Sequence, residues 1–185
     1  MKTIINYSIL LITLLPMSLL GQQKLIGTVN QSEVKITGTS SLHDWVEFAQ
    51  EFTVSGVKED QKITNLEIKI KTTSIESGHS SIMDGKTHEA LKAQKFPVIM
   101  LRANELVISE NKSIQGNGTL HIAGKEKAVP ITTVIKDNGQ DTLEVTGSID
   151  IVMSEYGIDP PTAMFGTLTT GDKVTVHYAF NLKYQ

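Results

Sequence analysis

The chain has 185 residues, with 17 basic and 20 acidic side chains, a formal charge of −3, five histidines and no cysteine. That length suits one domain, and the missing cysteine excludes disulfides, thiolate chemistry and an acylated-cysteine anchor. The slightly acidic balance gives no electrostatic reason to bind nucleic acid or anionic lipid headgroups.

Residues 1–21 read as a secretory leader. Lys2 supplies the positive start, Ile9 to Leu15 the apolar core, Pro16 the break, and Ser18 to Gly21 the small residues for cleavage. The apolar stretch is short for a membrane span, and Asn6, Ser8, Thr13 and Pro16 interrupt it. The expected mature domain is 22–185, in the periplasm or secreted, with no stable span after cleavage. Loss of Lys2 takes its formal charge to −4.

Beyond Gln22 the dominant pattern is alternation. Strands are predicted near 24–30, 33–38 and 46–54. Leu66, Ile68 and Ile70 then alternate with Glu67, Lys69 and Lys71. Ser81 to Ala93 is the one helical segment, with Ser81 as its cap and Asp84 three residues on. Met83, Thr87, Ala90, Leu91 and Gln94 lie along one face of it, and Phe96 before Pro97 stops it. Such a helix either closes a hydrophobic end or acts as a lid; periodicity alone does not separate the two.

Further strands follow near 97–108 and 112–122. Val129, Ile131, Thr133 and Ile135 form one face, and Leu143 to Ile151 another. The longest run is Lys173 to Tyr184. Val174, Val176, Tyr178, Phe180, Leu182 and Tyr184 share one face there, with His177 and Asn181 on the other. Asn30-Gln31-Ser32, Ser109 to Lys112, Asp137-Asn138-Gly139 and Thr170-Gly171-Asp172 carry turn chemistry. About eight antiparallel strands joined by short turns leave a sandwich or an up-and-down barrel. The long one-sided strands favour the barrel, which also removes sheet edges.

Between the last two long strands lies Met153-Ser154-Glu155-Tyr156-Gly157-Ile158-Asp159-Pro160-Pro161-Thr162-Ala163-Met164-Phe165-Gly166. Pro160 and Pro161 lack the N–H that a ladder needs, so its apolar residues sit on an irregular loop and need cover. The chemistry of hydrolases is missing: no Gly-x-Ser-x-Gly, no P-loop and no His-x-x-x-His. The histidines lack metal-ligand spacing, so no metal or cofactor is expected. Asp44, Asp84 and Asp159 each sit beside turn or cap chemistry.

The Pro-Pro segment resembles the C-terminal signature of the YceI family. Thr39-Ser40-Ser41-Leu42-His43-Asp44-Trp45, the run from Met83 to Pro97, and Gly118-Thr119-Leu120-His121-Ile122-Ala123-Gly124-Lys125-Glu126-Lys127 resemble the same family, in family order. The resemblance implies an all-β, lipocalin-like antiparallel barrel with one short inserted helix. It also implies a lipid or polyisoprenoid ligand. The expected ligand residues are Trp45, Met83, His88, Leu91, Phe96, Met100, Tyr156, Met164 and Phe165. His43, Asp44, His88 and Arg102 are the candidates for headgroup contacts. The expectation is an exported, non-enzymatic binding protein. Its alternatives are a barrel filled by its own side chains, and a hydrolase or isomerase using His88 with Asp84. The oligomeric state stays open, a homodimer included.

Overall fold

The structure, a computed structural model, describes residues 23–27, 32–137 and 142–185. The expected leader, residues 1–21, therefore lies outside the described residues, as do Asn30, Gln31, Asn138 and Gly139. The chain forms β1 (Gln23–Gly27), β2 (Glu33–Ser40), β3 (Trp45–Ala49), β4 (Phe52–Glu59), β5 (Lys62–Lys71) and β6 (Ile75–Glu76), then α1 (Ser81–Ala90). The rest is β7 (Val98–Ile108), β8 (Ser113–Ile122), β9 (Lys125–Asp137), β10 (Thr142–Val152), β11 (Thr162–Ala163) and β12 (Leu168–Tyr184).

Among the described residues, eleven of the twelve strands make an eight-membered barrel because three of its staves are broken; β11 pairs only with the start of β12. β12 pairs with β10 on one side; on the other it pairs with β1 near its end and with β2 before that. β1 pairs with β4 and β2 with β3, and these in turn pair with β5 and β6. β7, β8 and β9 complete the ring back to β10, all antiparallel. The predicted barrel is therefore the observed one, and closure leaves its long strands without free edges.

Where the staves break, local chemistry explains it. The strand predicted over 46–54 divides at Gln50-Glu51. There the Gln50 N–H donates to the Ser74 carbonyl (2.9 Å) and the Glu51 N–H to the Ser74 hydroxyl (3.0 Å). The turn predicted at Thr170-Gly171-Asp172 is instead inside β12, where the register with β2 shifts between Thr170 and Val174. Asp172 uses its turn chemistry to brace a neighbour: its carboxylate accepts the Ser154 N–H (2.8 Å) and hydroxyl. Pro130 is tolerated in β9 because pairing with β10 stops at Thr133, so its missing N–H costs no ladder bond on that side.

The helix begins at Ser81, as the predicted segment does, but is capped one residue earlier and ends at Ala90. Ser80, not Ser81, is the cap, accepting the Met83 N–H (3.3 Å). Asp84 makes no capping box; it accepts the Ser77 N–H and hydroxyl, both at 2.7 Å. Lys92 at φ 54° ends the segment before Ala93. Phe96 packs its ring over the two-residue hairpin Ala123-Gly124, where both residues have positive φ. A Cβ at Gly124 would fall inside that ring.

Burial is graded along the barrel. At the end built from β1 and β4, Leu25, Leu106, Ile114 and Leu143 are almost fully buried. Phe52 and Phe180 meet there with ring centroids 5.8 Å apart. Toward α1 the inward residues Ile36, Trp45, Ile68, Ile70, Ile99, Ile149 and Val176 are only partly buried. They face a space inside the wall.

Candidate ligand cavity

That space is a cavity of about 380 Å³ beneath α1 and the Pro-Pro segment. Its wall comes from alternate residues of the barrel strands: Ile68 and Ile70 of β5, Ile99 and Leu101 of β7, Ile149 and Ile151 of β10, and Val174, Val176, Tyr178 and Phe180 of β12. The inward face read along β12 is the observed one, and His177 is exposed. The roof is Met83, Thr87 and Ala90 of α1 and its C-cap Leu91, with Met153, Ile158 and Pro161 beside them. Nothing in α1 is fully buried. The helix lies over the cavity and reaches the core only through the partly buried Ala90 and, at its C-cap, Leu91.

Two lysines tie the roof together. Lys86 Nζ donates to the Thr162 carbonyl (2.8 Å), and Lys92 Nζ to the Gly157 carbonyl (2.9 Å). Both bonds are solvent-exposed, where such contacts contribute little. The mouth carries Leu42 and Ile82, 66% and 77% exposed. Trp45 lies flat at the rim because Gly38, its partner on β2, has no Cβ to hold the indole away. Its Nε1 donates to the Thr39 carbonyl (3.1 Å).

Of the residues picked from sequence, Trp45, Met83 and Leu91 line the cavity. Met100 does not: Ile99 and Leu101 on either side point in, so alternation sends Met100 to the outer face, between Lys69 and His121. Phe96 lies against the hairpin at Gly124. Tyr156 is buried in the core, with Lys127 Nζ 5.8 Å from its ring, and burial raises its phenol pKa. Phe165, at φ 56°, is fully exposed. The Met164 side chain lies outside the described residues.

The polar candidates also separate. His43 sits at the mouth, its Nδ1 donating to the Asp44 carbonyl (2.8 Å). His88 donates from Nε2 to the Ile75 carbonyl (2.9 Å), a structural tie between α1 and β6. Asp84 is occupied by Ser77, whose N–H and hydroxyl hold its carboxyl below the usual range. Arg102 points outward to Glu67 (3.0 Å). Among the described residues no three His, Asp or Glu side chains gather as a metal site would need.

Glu47 is the residue that the sequence reading passed over. It projects inward from β3, is 1% exposed and lines the cavity. Thr87 Oγ1 of α1 donates to its Oε1 (2.6 Å). Desolvation pushes its carboxyl up to about 7, with Asp84 adding to the rise and Thr87 opposing it. A signal for it was present: alternation puts Trp45, Glu47 and Ala49 on one face, so an acid stands among apolar neighbours.

A family model described as the YceI-like domain matches residues 21–182. The chain belongs to the YceI family. Among solved structures, this YceI-family chain is similar to BcnA of Burkholderia cenocepacia, at 15% identity and TM-score 0.72 over 84% of this chain and 98% of that one. It is similar to a polyisoprenoid binding domain from Saccharophagus degradans, described as implicated in plant cell wall breakdown. That match has 10% identity and TM-score 0.65 over 87% and 98% of the two chains. A Campylobacter jejuni YceI protein matches at 19% identity and TM-score 0.54, over 64% and 71%. At such identities these likenesses concern the fold of the YceI-family chain. No curated protein matches it.

Proposed function

We propose that the protein is an exported, non-enzymatic binder that holds an apolar or amphiphilic ligand, an isoprenoid or similar lipid, inside its barrel. The observation that carries this reading is the graded interior: a filled floor, and above it an apolar cavity roofed by a helix with no fully buried residue. The driving force is removal of apolar surface from water, about 25 cal/mol per Å². The polyisoprenoid-binding description of the Saccharophagus degradans domain supports the ligand class. The leader-like residues 1–21 support export to the periplasm or beyond.

The enclosed volume is at the low end of the roughly 300–1,000 Å³ of small-molecule sites. It suits a short isoprenoid or one segment of a longer chain. A longer ligand extends through the mouth at Leu42 and Ile82, or swings α1 and the Pro-Pro segment outward, which their exposed lysine bonds allow.

The test is organic extraction and mass spectrometry of protein purified from its own host, with displacement of a bound apolar fluorophore by isoprenoids. Lipid should copurify, and Leu91→Asp should abolish its retention with circular dichroism unchanged. A charge against an apolar chain costs several kcal/mol, yet on the roof helix it can turn to water when the cavity is empty. A protein that neither copurifies with lipid nor releases the fluorophore to isoprenoids overturns the reading.

A further inference from the structure

Glu47 is an expensive residue for a cavity wall. Its carboxyl is taken from water, and Thr87 supplies its one hydrogen bond among the described residues. It makes no ion pair there. A carboxylate offers about four acceptor positions, and buried ones are normally filled. A tie between β3 and α1 alone would be made more cheaply by an amide or hydroxyl in its place. The charges nearby do not neutralise it: Asp84 raises its pKa further, and Lys86, the lysine on the lining, is turned to the Thr162 carbonyl at the mouth.

Resting on the lipid reading above, we propose that Glu47 is the polar anchor of the cavity. It accepts a hydrogen bond from an apolar ligand ending in a hydroxyl or amide, and turns away ligands ending in phosphate or carboxylate. Geometry supports this choice of class. One carboxyl oxygen is held by Thr87 on the roof helix, and the side chain, opposite Ile36 of β2, lines the same cavity as Ile75 and Leu91. A donor on the ligand completes the set. Above pH 7 an anion placed there meets the ionised Glu47 and the field of Asp84, and the one lysine of the lining among the described residues, Lys86, is turned to the Thr162 carbonyl at the mouth.

Three probes sharing one chain test it at pH 8, where Glu47 is ionised: farnesol, farnesene without the hydroxyl, and farnesyl monophosphate, each competing with a bound apolar fluorophore. The wild type should bind farnesol about tenfold or more tightly than either of the others. Glu47→Leu should bind farnesol and farnesene alike. Glu47→Gln keeps a carbonyl acceptor and serves as the folding control; it should still prefer farnesol to farnesene and should discriminate less against the monophosphate. A wild type that holds farnesene as tightly as farnesol overturns the anchor and leaves the lipid reading standing. A farnesol preference that survives in Glu47→Leu, or undiminished rejection of the monophosphate by Glu47→Gln, also overturns it. If none of the three displaces the fluorophore, the anchor falls, and the lipid reading falls with it when no lipid copurifies.

Discussion

At the scale of the residue, Glu47 makes stability depend on pH. Its carboxyl rises from 4.5 to about 7 on folding, so the folded state holds a proton that the unfolded chain has released. The contribution is fully present below pH 4.5 and is lost as pH rises through about 7. The loss amounts to roughly 3 kcal/mol, at 1.36 kcal/mol per pH unit of difference. Urea unfolding at pH 4 and pH 8 should therefore show Glu47→Gln gaining stability over wild type at the higher pH and little at the lower. Asp84 acts in the opposite sense and in a lower window, because its pKa is depressed below 3.8. Equal gains at both pH values would place the Glu47 side chain in water. Met100 teaches a related lesson: its chemistry suits a lipid site, but its strand parity points it away.

At the scale of the element, α1 and the Ala123-Gly124 hairpin bear different loads. The hairpin is fixed: Gly124 stands at φ 82° with the Phe96 ring over it. Gly124→Ala adds both backbone strain and a clash, and should cost about 1–3 kcal/mol by thermal melting. The helix is held loosely by exposed bonds from Lys86 and Lys92. Replacing both lysines by alanine should speed release of a bound apolar fluorophore several-fold in stopped flow, with the melting temperature nearly unchanged. Unchanged release would mean that ligand leaves by another route. The helix itself was legible from Met83, Thr87, Ala90 and Leu91; its cap was misassigned by one residue because Ser80 and Ser81 carry identical chemistry.

At the scale of the whole molecule, the barrel is half core and half container. On β10, Leu143 belongs to the filled end and Ile149 to the cavity wall. Leu143→Ala should cost about 2–5 kcal/mol, because its neighbours cannot collapse into the void. Ile149→Ala should cost less than half of that in ligand-free protein, since its side chain already borders a space. Equal costs would mean that the upper half is packed. N-terminal sequencing of exported protein should begin near Gln22, whereas intact residues 1–21 in a membrane fraction would indicate an anchor.

Sequence alone determined the class of fold. Alternation in β5, β10 and β12 is a local property, set by the geometry of one strand, and it stays visible without knowing the partners. The long one-sided strands favoured a closed barrel over a sandwich, and the family motifs supported that closure. Tertiary structure alone decided what the inward faces enclose. Leu143 and Ile149 read alike along β10, yet one meets Leu182 across the ladder in a filled floor and the other looks into a cavity. It also decided that Trp45 lines the rim while Phe96 and Tyr156 pack elsewhere. Which apolar residue meets empty space depends on the distance to the opposite wall, and that distance is set by closure of the whole ring.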